Sequence, residues 1–294
     1  MNKPRILSCG EVLWDLFPEG ARFGGAPANF ACHAAILGGD VFMLSAVGKD
    51  ARGDEALAIL LGFGIDTSLV QRIPDAPTGS VGVSVDAAGK PTFEIHTRSA
   101  WDRVAWTDAL EARIKEVDAI YFGTLGQRGG MSRATIRRAL TLAKERNILR
   151  VLDVNLRRPF DDAALIRESI AQASVLKLSD DELPEVAAAC GIASDASNEN
   201  TLRELLTHCG LDLVVMTRGA KGALLVSAED ATDQPGIPTN VADTVGAGDS
   251  FTAAFVLGLL RGEAREVILR KACETASAVC SQSGAVPNPH SASL

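Results

Sequence analysis

Near the carboxyl terminus, Asp243-Thr244-Val245-Gly246-Ala247-Gly248-Asp249 sets two glycines between two acids, at the mouth of an apolar run from Phe251 to Leu260. Phe251, Phe255 and Leu259 recur at helical spacing, with Val256 and Leu260 beside them, so the run predicts a helix fed by a tight Gly246-Ala247-Gly248 turn. The opening amides of a helix lack intrahelical acceptors and its dipole is positive there, so such a turn can hold an anion. Small side chains let a phosphate approach the backbone. A carboxylate at Asp249 would repel that phosphate unless it has a task, and removing the proton from an attacking hydroxyl is one. The plainer alternative is that Asp249 only charge-matches the first turn of a buried helix.

A second glycine cluster, Gly24-Gly25-Ala26-Pro27-Ala28-Asn29, precedes another predicted helix. Its glycines would let a small polar ligand contact the backbone, Pro27 stiffens the turn, and Asn29 offers a donor and an acceptor together. Upstream, Glu11-Val12-Leu13-Trp14-Asp15 puts Asp15 near the end of an extended segment. An Asp and an Asn near glycines suit a polyol, because a carboxylate can accept from two adjacent hydroxyls; a surface turn with a solvated acid reads equally simply. Thr217-Arg218-Gly219-Ala220-Lys221-Gly222 ends the apolar strand Leu213 to Met216 and offers a hydroxyl and amides to a nucleotide phosphate. A plain turn into the next apolar run, Ala223 to Val226, is the alternative. Asp153-Val154-Asn155-Leu156-Arg157-Arg158-Pro159 ends another strand with polar and basic groups, which fits a ligand or a capping role. Ser179-Asp180-Asp181-Glu182 offers carboxylates that could organise Mg²⁺ through water, and also spells a helix-start capping box.

The elements that must position these motifs alternate in type. Arg5 to Cys9, Val41 to Val47, Ala119 to Phe122, Leu149 to Val154, Val175 to Leu178 and Leu213 to Thr217 read as strands. Ala28 to Leu37, Gly53 to Gly62, Ser132 to Arg146, Asp161 to Ala173 and Thr201 to Cys209 read as helices. Near-continuous apolar strands between helices predict an α/β fold, with a mostly parallel sheet covered on both faces and ligands bound at the strands' carboxyl ends. Ser80 to Val85 and Pro91 to Thr97 break the rhythm as a β-hairpin around Asp86-Ala87-Ala88-Gly89-Lys90, either decoration or a flap over a ligand. Ala193 to Asn200, rich in Ser, Asp and Asn, reads as a loop.

Composition removes other classes of function. With 294 residues, 47% hydrophobic and 22% charged, the chain has an ordinary globular balance. A formal charge of −8 argues against nucleic acid or an anionic membrane as the main partner. No apolar stretch reaches signal or membrane-spanning length, which predicts a cytoplasmic protein. The six cysteines show no Cys-x-x-Cys pair and read as buried thiols, and the four histidines are scattered, so a zinc enzyme is not expected. There is no P-loop, no nucleophile elbow, and no dinucleotide fingerprint after the first strand.

Taken together and in order, the motifs resemble those of the ribokinase-like (PfkB) family of sugar kinases, over essentially the whole chain. The Gly-Gly-Ala-Pro-Ala-Asn form with Glu11 and Asp15 before it is similar to bacterial fructokinases; ribokinases usually carry a Lys where this chain has Ala26-Pro27. The resemblance implies a three-layer sandwich in one domain, residues 1–294, with a small β lid from about 11–23 and 79–104. It implies an ATP-dependent, Mg²⁺-requiring kinase, with fructose as first candidate and 2-keto-3-deoxygluconate, ribose or a nucleoside as alternatives; a silent sugar sensor ranks below these. By the same resemblance Asp249 is the base, and Gly246, Ala247 and Gly248 form the anion hole. Asp15, Gly25, Asn29, Arg98, Asn155 and Arg157 face the sugar or its phosphate, and Thr217, Gly219, Gly222, Ser283 and Gly284 line the nucleotide. Glu182 acts on Mg²⁺ through water, while Asp243 and the Val245 carbonyl match part of a site for a monovalent cation such as K⁺. The family's Asn-x-x-Glu motif departs here, with Ser179 in place of Asn, so Ser179 carries no expected role. A homodimer through the lid is the expected assembly.

Overall fold

The computed structural model describes residues 3–85, 91–193 and 197–287. Among these the strands are β1 (Arg5–Cys9), β2 (Leu13–Phe17), β3 (Gly20–Gly24), β4 (Asp40–Gly48), β5 (Val70–Ile73), β6 (Gly79–Val85) and β7 (Pro91–Ile95). They continue with β8 (Ala119–Gly123), β9 (Leu149–Asp153), β10 (Val175–Ser179), β11 (Leu213–Thr217), β12 (Ala223–Val226) and β13 (Ala231–Gln234). The helices are α1 (Ala26–Ile36), α2 (Ala51–Gly62), α3 (Asp108–Ile114), α4 (Gly130–Glu145) and α5 (Ala163–Ile170). The later ones are α6 (Leu183–Ala189), α7 (Asn198–Cys209), α8 (Ala247–Leu260) and α9 (Arg265–Cys280).

The main sheet runs β13-β12-β11-β10-β9-β8-β1-β4-β5. Every pairing from β11 to β5 is parallel, and β12 and β13 close one edge antiparallel. Successive strand side chains point to opposite faces, and here both faces are apolar. On one face Leu7, Phe42 and Leu152 join Leu110, Leu140, Ile166, Val186 and Leu202, which belong to α3 through α7. On the other, Ile6, Met43 and Val151 join Phe30, Leu60, Phe255 and Leu269, from α1, α2, α8 and α9. This ribokinase-like three-layer arrangement matches the predicted class. Each such side chain, fully buried, contributes about 2 kcal/mol.

Helix α8 is buried almost all round, from Ser250 through Gly258, because it lies between the sheet, α1 and α9. Its N-terminal end therefore cannot shift independently of the core.

A second sheet, β3-β2-β6-β7, stands apart from the first. The predicted hairpin is present as β6 and β7, with Val81 opposite Ile95; its turn, 86–90, lies outside the described residues. β2 and β3 add an antiparallel pair in which Asp15 faces Arg22, and β2 runs parallel to β6. The predicted loop from Ala193 to Asn200 is corrected at its end: Asn198, Glu199 and Asn200 already form the first turn of α7, because Ser197 caps that helix by accepting from the Asn200 amide. Residues 194–196 of that stretch lie outside the described residues. Polar composition there marked a helix N-cap as well as a loop. Among the described residues no helix is long and apolar enough to cross a membrane, and none of the six cysteines forms a disulfide.

Candidate active site

The two-residue period of the strands decides what lies beneath the mouth of α8. In β8, β9 and β10 the residues on that face are Tyr121, Asp153 and Lys177, whereas Phe122, Leu152 and Leu178 point into the opposite core. Lys177 Nζ donates to Asp153 Oδ1 at 3.1 Å, and Thr252 Oγ1 of α8 donates to Asp153 Oδ2 at 3.2 Å. The pair is almost wholly buried, at 8% and 1% side-chain exposure. Burial pushes the Asp153 carboxyl up to about 6, with Lys177 pulling it back. Burial works against a charged Lys177, but the Asp153 and Glu182 carboxylates outweigh it and hold the ammonium above its ordinary range. Both members are therefore charged at neutral pH.

Asp249 sits in the first turn of α8, above this pair. Its Oδ2 accepts a hydrogen bond from Asn29 Nδ2 of α1 at 2.9 Å, joining the two glycine turns across 220 residues. Burial raises the Asp249 carboxyl above its usual value, while the Asn29 bond, Lys177 and Arg157 oppose the shift. Gly246 is the N-cap of α8 at φ 81°, and no side chain caps the helix. A methyl group on Gly246 would stand 2.3 Å from the Ala285 carbonyl oxygen, so only glycine fits. The Ala247 amide reaches Thr244 O, and helix geometry leaves those of Gly248 and Asp249 without intrahelical acceptors. An added Cβ on Gly248 would lie 3.3 Å from Lys177 Nζ, which places the ammonium behind this helix mouth.

The loop is locked by its own acid. Asp243 accepts from the Val245 amide and from the Gly284 amide, each at 3.0 Å, tying it to the segment that holds Ser283 and Gly284. His33 Nε2 lies 2.8 Å from Ala285 O and fastens the same segment to α1. Asp15, half-buried on β2, lies over Gly24, where a methyl group would approach its Oδ2 to 2.7 Å. Gly25, at φ 106°, is required by the Glu11 backbone 2.5 Å from its missing Cβ. Gly25 is thus demanded by the chain's own packing, a reason different from the ligand approach expected of it, whereas at Gly24 the Asp15 carboxylate is the one close neighbour.

Arg157 is exposed at the carboxyl end of β9, and its charge acts on Asp15, Glu11 and Asp249 together. Asn155 beside it has φ 43°. Thr217 and Gly219 lie at the end of β11, with Thr217 Oγ1 bonded to Leu178 O. Gly222 is set by packing on residues 234–236, its missing Cβ 2.0 Å from Gln234 O. Arg98, exposed at φ 61° after β7, makes no contact that joins it to Asp249 among the described residues. Glu182 accepts from the Leu156 amide at 2.7 Å and from the Ser179 amide and hydroxyl at 2.8 and 3.1 Å. The reciprocal Glu182–Ser179 bonds have the form of a capping box but close the turn between β10 and α6, whose own N-cap is Glu182. Glu182 Oε2 already accepts twice, so Oε1 is the oxygen that retains acceptor capacity for a metal-bound water, and no group of three or more potential ligands gathers among the described residues. That donor set fits Mg²⁺, which keeps several waters and uses few carboxylates.

The pfkB family carbohydrate kinase profile matches residues 20–291 of this chain. The chain belongs to the PfkB family of carbohydrate kinases. A probable fructokinase-5 of Arabidopsis thaliana is 29% identical over 97% of this chain and 94% of its own. The aminoimidazole riboside kinase of Salmonella typhimurium is 28% identical over 95% and 88%. A sugar kinase of Pyrococcus horikoshii, solved in complex with ATP, superposes with a TM-score of 0.80 at 27% identity, covering 97% of this chain and 96% of that one.

Four residues that the fold gathers beneath this candidate site carry no motif in the sequence: Tyr121, Asp153 as an ion-pair partner, Lys177 and Thr252. Lys177 carried a visible signal, a lone cation between Leu176 and Leu178 in an otherwise apolar strand, because such a charge is buried only with a partner. Replacing Lys177 with Met should cost about 3–5 kcal/mol in urea unfolding at about pH 7.5, since it strands a buried carboxylate. Asp153 takes up a proton more readily folded than unfolded, so protonation favours the folded form. The deficit should therefore shrink at about pH 5; a deficit equal at both pH values would contradict a stranded charge.

Proposed function

We propose that this carbohydrate kinase transfers the γ-phosphoryl group of ATP to the primary hydroxyl on carbon 6 of fructose. The observation that carries the reading is the Asn29–Asp249 hydrogen bond, which holds a sugar-side turn against a carboxylate at an uncapped helix mouth. Asp249 takes the hydroxyl proton as that oxygen attacks phosphorus in line. Phosphoryl transfer passes through a loose transition state, so positioning and charge stabilisation supply most of the acceleration. The amides at Gly246 and Gly248 face the transferring group, that of Ala247 joins them by giving up its long bond to Thr244 O, and the Lys177 ammonium lies behind them. Asp15, Gly25, Asn29, Asn155 and Arg157 line the sugar's place, with Arg98 approaching from the second sheet. Thr217, Gly219, Gly222, Ser283 and Gly284 line the nucleotide's. Mg²⁺ bound with ATP, held by the phosphates and through water by Glu182, would neutralise phosphate charge. Asp243 and the Val245 carbonyl are the proposed contacts of a monovalent cation.

Fructose is favoured by the Gly24–Asn29 turn with Glu11 and Asp15 before it and by the likeness to a plant fructokinase. A riboside acceptor is the second reading, because a relative of nearly equal identity is named for one. The β3-β2-β6-β7 sheet serves as a lid that excludes water, and its open edges, β3 and β7, are where a second copy would pair. ADP release with MgATP should be strong on fructose and weak on ribose, 2-keto-3-deoxygluconate and adenosine. Turnover on another acceptor alone would move the substrate, and silence on all four would count against every acceptor in this panel. Sedimentation at micromolar concentration should give a dimer; a monomer would count against pairing through the lid.

A further inference from the structure

Glu11 follows β1 and is 4% exposed, inside the site yet without a part in the chemistry above. Its carboxyl takes hydrogen bonds from its own backbone and the Ala26 amide. A methyl group on Gly25 would come 3.4 Å from Glu11 Cγ, and one on Gly126 3.6 Å from Oε2. Oε2 is enclosed with no hydrogen-bond partner. The charged groups that face Glu11 are Arg157, from the loop after β9, and Asp249, from α8. The Tyr121 hydroxyl of β8 feels both carboxyls and is likewise buried without a partner.

Two carboxyls in one poorly hydrated site resist being charged together, and the better-partnered one keeps the charge. Asp249 has the Asn29 donor and two cations, Lys177 and Arg157. Glu11 has backbone amides, one cation and an empty-handed oxygen. We propose that Glu11 holds the proton of this pair and stays uncharged while Asp249 is the carboxylate, so that Glu11 is a positioning residue that keeps the base ionised. Burial, and to a lesser degree the Asp249 charge, push Glu11 up to about 7 against its backbone bonds and Arg157, in keeping with that division. The inference rests on reading Asp249 as the base, but the proton's location can be read without turnover.

Infrared difference spectra of the whole chain between about pH 6 and about pH 8 test it. A protonated-carboxyl band that disappears on going alkaline is expected in the native protein, diminished in Glu11→Gln and retained in Asp249→Asn. The pH profile of kcat/KM is the second readout. Glu11→Gln should stay within about threefold of native activity at about pH 6, where native Glu11 is neutral, and should lose the native ionisation near neutrality. A band that survives Glu11→Gln and vanishes in Asp249→Asn would overturn the proposal. So would a Glu11→Gln enzyme that folds but is impaired equally at every pH. Should Glu11→Gln fail to fold, the Asp249→Asn spectrum decides: the Asp153 carboxyl, pushed up to about 6, contributes its own band at the acid end, so loss of the band with a midpoint near 7 puts the proton on Asp249, and survival of that band excludes it.

Discussion

The fold depends on holding two helix mouths, those of α1 and α8, side by side, where neither N-cap residue supplies a side-chain cap. Uncapped amides and the positive ends of two dipoles would repel each other if nothing negative lay between them. Asp249, bonded to Asn29, supplies that charge. The lengths of α1 and α8 are then buried against the sheet and each other, so the geometry of the mouths is fixed by the core and not by the loops. The Ala285 segment closes the arrangement by packing on Gly246 and bonding to His33.

Electrostatics beneath these mouths follow from where the chain puts its few buried charges. A buried ion pair seldom adds net stability, because desolvation offsets the attraction. The Lys177–Asp153 pair is better understood through position: it sets an ammonium behind the amides of α8 and a carboxylate on the far side of it. A phosphoryl group at the mouth, as proposed, would meet the cation before the carboxylate. Arg157, exposed and acting through its charge on three acids at once, can add charge from the solvent side.

Much of this was legible in the sequence because the signals were local. The helix after Gly246-Ala247-Gly248, the parallel strands and the β6–β7 hairpin each follow from a short pattern of glycine and apolar residues. The boundaries moved by a few residues, as at α5, found over Ala163–Ile170 and expected over Asp161 to Ala173. What the sequence hid was non-local. β3 falls in the stretch that the family resemblance alone assigns to the lid, with no strand pattern of its own, and forms by pairing with β2. Tyr121, Asp153 and Lys177 come from three strands, and their meeting depends on register that no single segment specifies. Gly25 and Gly222 were visible as glycines, but the atoms that exclude a Cβ at each lie elsewhere in the chain.

The central claim is that Asp249 removes the proton from the attacking hydroxyl. The most direct test is the turnover number of Asp249→Asn, measured with sugar binding followed by calorimetry on the same sample. The amide keeps the shape and a hydrogen bond to Asn29 but cannot accept the proton, so turnover should fall by about 10² to 10⁴ with binding and fold preserved. Near-native turnover in a folded, sugar-binding Asp249→Asn protein would contradict the account.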